Sequence, residues 1–174
     1  MRHDVREEVL DLIKPNDVCL EIGVWKSQFS SRILKRQPKM LYLVDPWEFM
    51  PQYEDRNYGG RQCKKQDDMD KLCDKVKAKF QSNKNVTIMR GYSTTEVPKI
   101  DHVLDWCYID GDHSYEPVLN DLMMTYEITR VGGYVCGDDY QWSGVTKAVQ
   151  EFAALKGIEA VTKGSQFIIR KVSD

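Results

Sequence analysis

Five short apolar runs, each trailed by a segment of helical period, constrain this chain of 174 residues more than any other feature. They are Val18 to Ile22, Met40 to Val44, Val86 to Met89, Leu104 to Ile109 and Gly133 to Cys136. Runs this short and continuously apolar fit strands buried on both faces, and their alternation with helices predicts a parallel sheet covered on both sides. The intervening apolar residues recur at three and four positions. Val5, Val9, Leu12 and Ile13 share a face and stop at Pro15-Asn16; Phe29, Ile33 and Leu34 follow, with Ser27 a candidate cap and Pro38 marking the end. Further helices are read from Met69 to Phe80, Val118 to Tyr126, and Gly144 to Leu155, the last closed by Gly157. Ile158 to Val161 and Gln166 to Arg170, joined at Gly164-Ser165, read as a hairpin at the sheet edge. The expectation is an α/β fold in one domain over residues 1–174. It is a Rossmann-like three-layer α/β/α sandwich, with a seven-stranded, mostly parallel sheet and an antiparallel C-terminal hairpin strand.

Composition narrows the function. A net charge of -2, with 30% charged residues of both signs interspersed, gives no basic face for nucleic acid, and 41% hydrophobic residues suffice for a core. No stretch approaches the roughly 18 apolar residues of a membrane span, and the first eight residues hold no apolar signal segment, so a soluble cytoplasmic protein without membrane or nucleic-acid partners is expected. The five cysteines form no C-x-x-C pair. They read as small buried hydrophobes, with Cys63 and Cys73, in a polar stretch, as possible exceptions. From Trp47 to Gln66 the chain is irregular and aromatic, broken by Pro51 and Gly59-Gly60; a surface loop this long points to ligand contact.

In open α/β sheets ligands bind beyond the carboxyl ends of the strands. Those ends are polar here: Glu21 and Gly23, then Asp45-Pro46-Trp47, then Gly91-Tyr92-Ser93, then Asp110-Gly-Asp112-His113, then Asp138-Asp139. Asp110, Asp138 and Asp139, on neighbouring strand ends, offer hard oxygen ligands for Mg²⁺ or another divalent cation. Without a cation, the cluster would be strained or partly protonated; the competing reading has one carboxylate cap a helix and another face water. His113 lies three residues after Asp110, and its ordinary pKa near ~6.5 suits a general base, against a solvent-exposed loop histidine as the alternative. His3 and His102 have no such surroundings.

The segments Cys19 to Gly23, Leu43 to Trp47, Asp105 to Tyr115 and Val131 to Tyr140, in this order, resemble the class I S-adenosylmethionine-dependent methyltransferases. The likeness is greatest to small-molecule O-methyltransferases of the catechol and macrolide-sugar types and runs from about Val18 to Phe152. It implies S-adenosylmethionine as cofactor. Gly23 would admit the methionine portion beside Glu21 as acceptor, Asp45 would bind the ribose, and Gly91 and Ser93 would contact adenine. Trp47, Trp142 and Tyr115 would shape the cofactor or acceptor pocket, although simple packing explains them equally. Asp45 before Pro can also just begin a turn, and Ser93 can cap a short helix. The resemblance further implies a divalent cation on Asp110, Asp138 and Asp139, and His113 as base for a small-molecule hydroxyl acceptor, sugar or phenolic. Ser27 stands where these enzymes often carry another glycine. With no G-x-G-x-x-G, nicotinamide chemistry is disfavoured. The open alternatives are a metal-independent methyltransferase and a non-catalytic scaffold that keeps the fold, and a partner subunit is a further candidate for completing the pocket.

Overall fold

The computed structural model describes residues 5–53 and 63–173. Its seven strands are β1 (Val18–Ile22), β2 (Met40–Asp45), β3 (Val86–Arg90), β4 (Leu104–Ile109), β5 (Thr129–Gly137), β6 (Ala160–Lys163) and β7 (Gln166–Arg170). They lie in the order β3-β2-β1-β4-β5-β7-β6. β1 to β5 run parallel, in registers such as Ile22 opposite Val44 and Ile109, while β7 pairs antiparallel with both β5 and β6. The sheet is therefore the expected one. Chain order reverses between β1 and β4, which makes their carboxyl ends the natural ligand crevice.

The helices are α1 (Val5–Leu10), α2 (Gln28–Leu34), α3 (Gln66–Phe80), α4 (Ser93–Glu96), α5 (Tyr115–Ile128) and α6 (Ser143–Lys156). Successive strand residues point to opposite faces, so β1 sends Val18, Leu20 and Ile22 into a core shared with α5 and α6, and Cys19 into one shared with α1, α2 and α3. Fully buried Trp106 and Tyr108 stack within the second core, and Phe152 and Phe167 fill the first. Each such side chain contributes about 2–3 kcal/mol through removal of apolar surface from water.

Several local expectations change. α1 ends at Leu10, so Leu12 and Ile13 follow it in a turn, although Ile13 is still buried. β5 begins at Thr129, four residues before the run at Gly133, with a register irregularity against β4 between Leu104 and Trp106. All five cysteines are free and buried, Cys63 and Cys73 included, because α3 turns both onto the core in an otherwise charged segment. In the long loop, Pro51–Tyr53 form a 3-10 turn, and the Gln66 amide closes the base by donating to the Trp47 carbonyl and accepting from the Phe49 N–H, both at 2.9 Å. Gly59-Gly60 and the rest of 54–62 lie outside the described residues.

Candidate active site

The first wall of the crevice is the turn after β1. Gly23 adopts φ +88°, and its N–H donates to Val44 O at 2.9 Å. A Cβ here would overlap the Asp110 carbonyl and lie 2.7 Å from the Gly111 N, so glycine is required by the close approach of the loop after β4. Trp25 and Ser27 are also left-handed, at φ +45° and +57°, each a strain of about 1–3 kcal/mol for residues with a Cβ. The Ser27 value explains why glycine suits this position. Ser27 does not cap α2 through its side chain; its Oγ donates to Lys26 O, while Lys79 Nζ donates to Ser27 O at 2.8 Å.

Asp45 holds this strained loop. Its Oδ2 accepts from the successive N–H groups of Val24 (2.9 Å) and Trp25 (2.8 Å), and Oδ1 accepts from Trp47 N (2.7 Å). The side chain is 1% exposed, so the expectation that it offers itself to a ribose is corrected: converging backbone donors already hold both oxygens. Asp45→Ala is expected to lower unfolding free energy by about 2–3 kcal/mol in urea denaturation, from buried N–H groups left unsatisfied. Trp47 is corrected as well. It is wholly buried among the α1–α3 core residues, with its indole N–H on Trp25 O at 2.9 Å, and presents no surface to a ligand.

Glu21 lies one layer below, 2% exposed, with Oε2 lacking a hydrogen-bond partner among the described residues. Burial pushes its carboxyl well above the usual range; Ser30 and Arg6 oppose this while Asp110 and Asp45 add to it. At the end of β3, Gly91 N–H donates to Asp45 O at 3.0 Å. Ser93 is the first residue of α4, with Tyr92 in the capping position, so the cap expected of Ser93 is not formed.

The second wall joins the ends of β4 and β5. Asp110, His113 and Asp139 bring one ligand atom each within 4.8 Å of one another. His113 Nε2 stands 3.0 Å from Asp139 Oδ2 and 3.8 Å from Asp110 Oδ1, and its ring packs 5.2 Å from that of half-exposed Trp142. Gly144, in the first turn of α6, lies under this loop; a Cβ there would clash with the His113 carbonyl and touch Tyr115 N at 3.0 Å. Burial raises the Asp110 pKa; His113 and Arg6 lower it, and Asp138 and Asp139 raise it further.

Asp138 points elsewhere, and so departs from the expected ligand set. It is 4% exposed and accepts from Ser165 Oγ (2.7 Å), Asp139 N (2.8 Å), the Gln166 amide and the Arg6 guanidinium. The same guanidinium lies 3.9 Å from Asp110 Oδ2 and over the Phe29 ring. Arg6, Ser165 and Gln166 were missed from sequence. Arg6 is separated from Asp138 by 132 positions and sits on a helix whose pattern reports only its apolar face.

A family profile described as "Methyltransferase domain" matches residues 20–140. An uncharacterised protein of Acanthamoeba polyphaga mimivirus is 40% identical over 79 residues, a match covering 40% of this chain and only 36% of the length of that protein. Among solved structures, the O-methyltransferase NovP superposes with a TM-score of 0.66 at 20% identity, covering 97% of this chain and 78% of that one. The O-methyltransferase from Bacillus cereus in complex with SAH gives 0.64 at 14%, covering 96% and 79%. An rRNA methylase from Streptococcus thermophilus gives 0.68 at 9%, covering 99% of each chain. At these identities the superpositions establish a shared fold. Among the described residues, no helix is long and apolar enough to cross a membrane.

Proposed function

The chain belongs to the methyltransferase-domain family, and from that premise we propose that it is an S-adenosylmethionine-dependent O-methyltransferase acting on a hydroxyl of a small molecule, with a divalent cation. The observation that carries this reading is the Asp110, His113 and Asp139 cluster beside the Gly23 turn.

The donor set suits a hard divalent cation such as Mg²⁺. Three carboxylates face one guanidinium at the ends of β4 and β5, and with Arg6 balancing Asp138, Asp110 and Asp139 leave the two negative charges that a divalent ion would neutralise. Asp110 and Asp139 would hold it. When bound, the cofactor supplies an electrophilic methyl group on sulfonium, and the cation lowers the pKa of the acceptor hydroxyl. His113 then takes the hydroxyl proton, with Asp139 and Asp110 beside its Nε2 to stabilise the imidazolium. Glu21 and the Gly23 turn border the methionine end, Gly91 and Ser93 the adenine end, and Asp45 holds the loop between them. Trp142, half-exposed beside His113, offers a flat face to a sugar or phenolic ring.

A second reading has the His113 imidazole as the third cation ligand, favoured by the compactness of the cluster. His113→Gln separates the two: Mg²⁺ affinity is unchanged if His113 is the base and falls about tenfold if it is a ligand. The function itself is tested by calorimetric titration with S-adenosylhomocysteine, with and without Mg²⁺, followed by methyl transfer to a panel of hydroxyl acceptors. Binding with chelator-sensitive transfer is the expected result. Transfer that survives chelation would leave a metal-independent enzyme, and no binding at all would leave a scaffold.

A further inference from the structure

Asp121 is the buried carboxyl for which the mechanism above has no use. It sits on the inward face of α5, 3% exposed, and its Oδ1 has no hydrogen-bond partner among the described residues. A buried carboxyl with an unsatisfied oxygen costs stability, and neighbours on its own helix satisfy themselves otherwise: Thr125 Oγ1 donates to the Asp121 backbone carbonyl at 2.7 Å. Across from it lies the first turn of α4, where the Ser93 hydroxyl is the polar side chain acting on the carboxyl.

We propose that Asp121 is a positioning residue for the cofactor: from α5 it holds Ser93 and thereby fixes the turn Gly91-Tyr92-Ser93 that borders the adenine. The proposal rests on the cofactor reading above. The turn is otherwise tied to the sheet by Gly91 N–H on Asp45 O, and Tyr92 reaches outward to Glu48, so its inner side depends on what α5 presents.

The protonation state of Asp121 sets the strength of that hold. Burial raises its pKa to about 7, with Ser93 lowering it and Asp112, in the loop after β4, raising it. The Cys107 thiol on β4, the other titratable group facing it, is itself pushed well up by burial and stays neutral. As the neutral acid, Asp121 can sit against the turn without a charge to solvate. As the anion, it repels Asp112 and lacks donors, so the contact loosens. The turn is therefore held best below about pH 7. Stability follows the same sign. The folded pKa lies above the unfolded one, so folding is favoured in acid, and this contribution is lost as pH rises from about 4 to about 7.

The test is affinity for S-adenosylhomocysteine across about pH 6 to 8.5, for the wild-type protein, Asp121→Asn and Asp121→Leu. Wild-type affinity should fall about tenfold with a midpoint near 7, and Asp121→Asn, neutral throughout, should match the wild type within about threefold at the acid end and show no such fall. Asp121→Leu should bind about tenfold more weakly at every pH while keeping native circular dichroism. A flat wild-type profile, a wild-type slope in Asp121→Asn, or full affinity in folded Asp121→Leu overturns the proposal. Absence of binding by the wild-type protein at every pH overturns the cofactor reading, and this proposal with it.

Discussion

Asp110→Asn is expected to lower methyl transfer by about 10²-fold or more while leaving S-adenosylhomocysteine affinity within about threefold of wild type. Asp110 sits at the centre of the polar wall, within reach of His113, Asp139 and Arg6. Its replacement removes one of two proposed anionic ligands and one of two carboxylates beside the His113 imidazole. Asparagine preserves shape, so the turn at Gly23, which packs on the backbone of residue 110 rather than on its side chain, keeps its place. Initial-rate assays at several Mg²⁺ concentrations, run beside calorimetry, separate the two effects. Equal losses of turnover and cofactor affinity would move Asp110 from the acceptor side of the site to the cofactor side.

The second large effect is structural. Gly23→Ala is expected to cost about 4 kcal/mol or more in unfolding free energy, through positive φ and a collision with backbone that cannot rotate away. Strand β1 is buried along its whole length and paired on both sides, and Asp110 N–H donates to Ile22 O at 2.8 Å, so neither wall yields without breaking ladder bonds. Urea denaturation followed by tryptophan fluorescence measures the loss. A change below about 1 kcal/mol would mean that the loop after β4 is free to move, and that the cradle is less rigid than its hydrogen bonds indicate.

The sign of an aspartate at a strand end was legible, but not what the carboxylate would face. Asp45, Asp138 and Asp139 are alike as residue types in polar turns. In the folded chain Asp45 takes up three backbone donors, Asp138 is buried under Arg6 and the β7 hairpin, and Asp139 turns to His113 through a left-handed φ of +56°. That division separates one proposed ligand from a structural carboxylate. It depends on partners up to 132 positions away, which no local pattern encodes.

Sequence alone determined the layered sheet, the hairpin and the placement of the crevice at the strand ends. Short apolar runs, helical periodicity and glycine are local signals, and burial on two faces leaves few ways to satisfy them. Only the tertiary structure decided which polar groups meet in that crevice: Trp47 turned into the core, Arg6 brought onto Asp138, and Asp121 left with an unsatisfied oxygen beneath the β3 turn. Pairing of buried charges is a long-range balance of desolvation and Coulomb attraction, settled by which elements pack together.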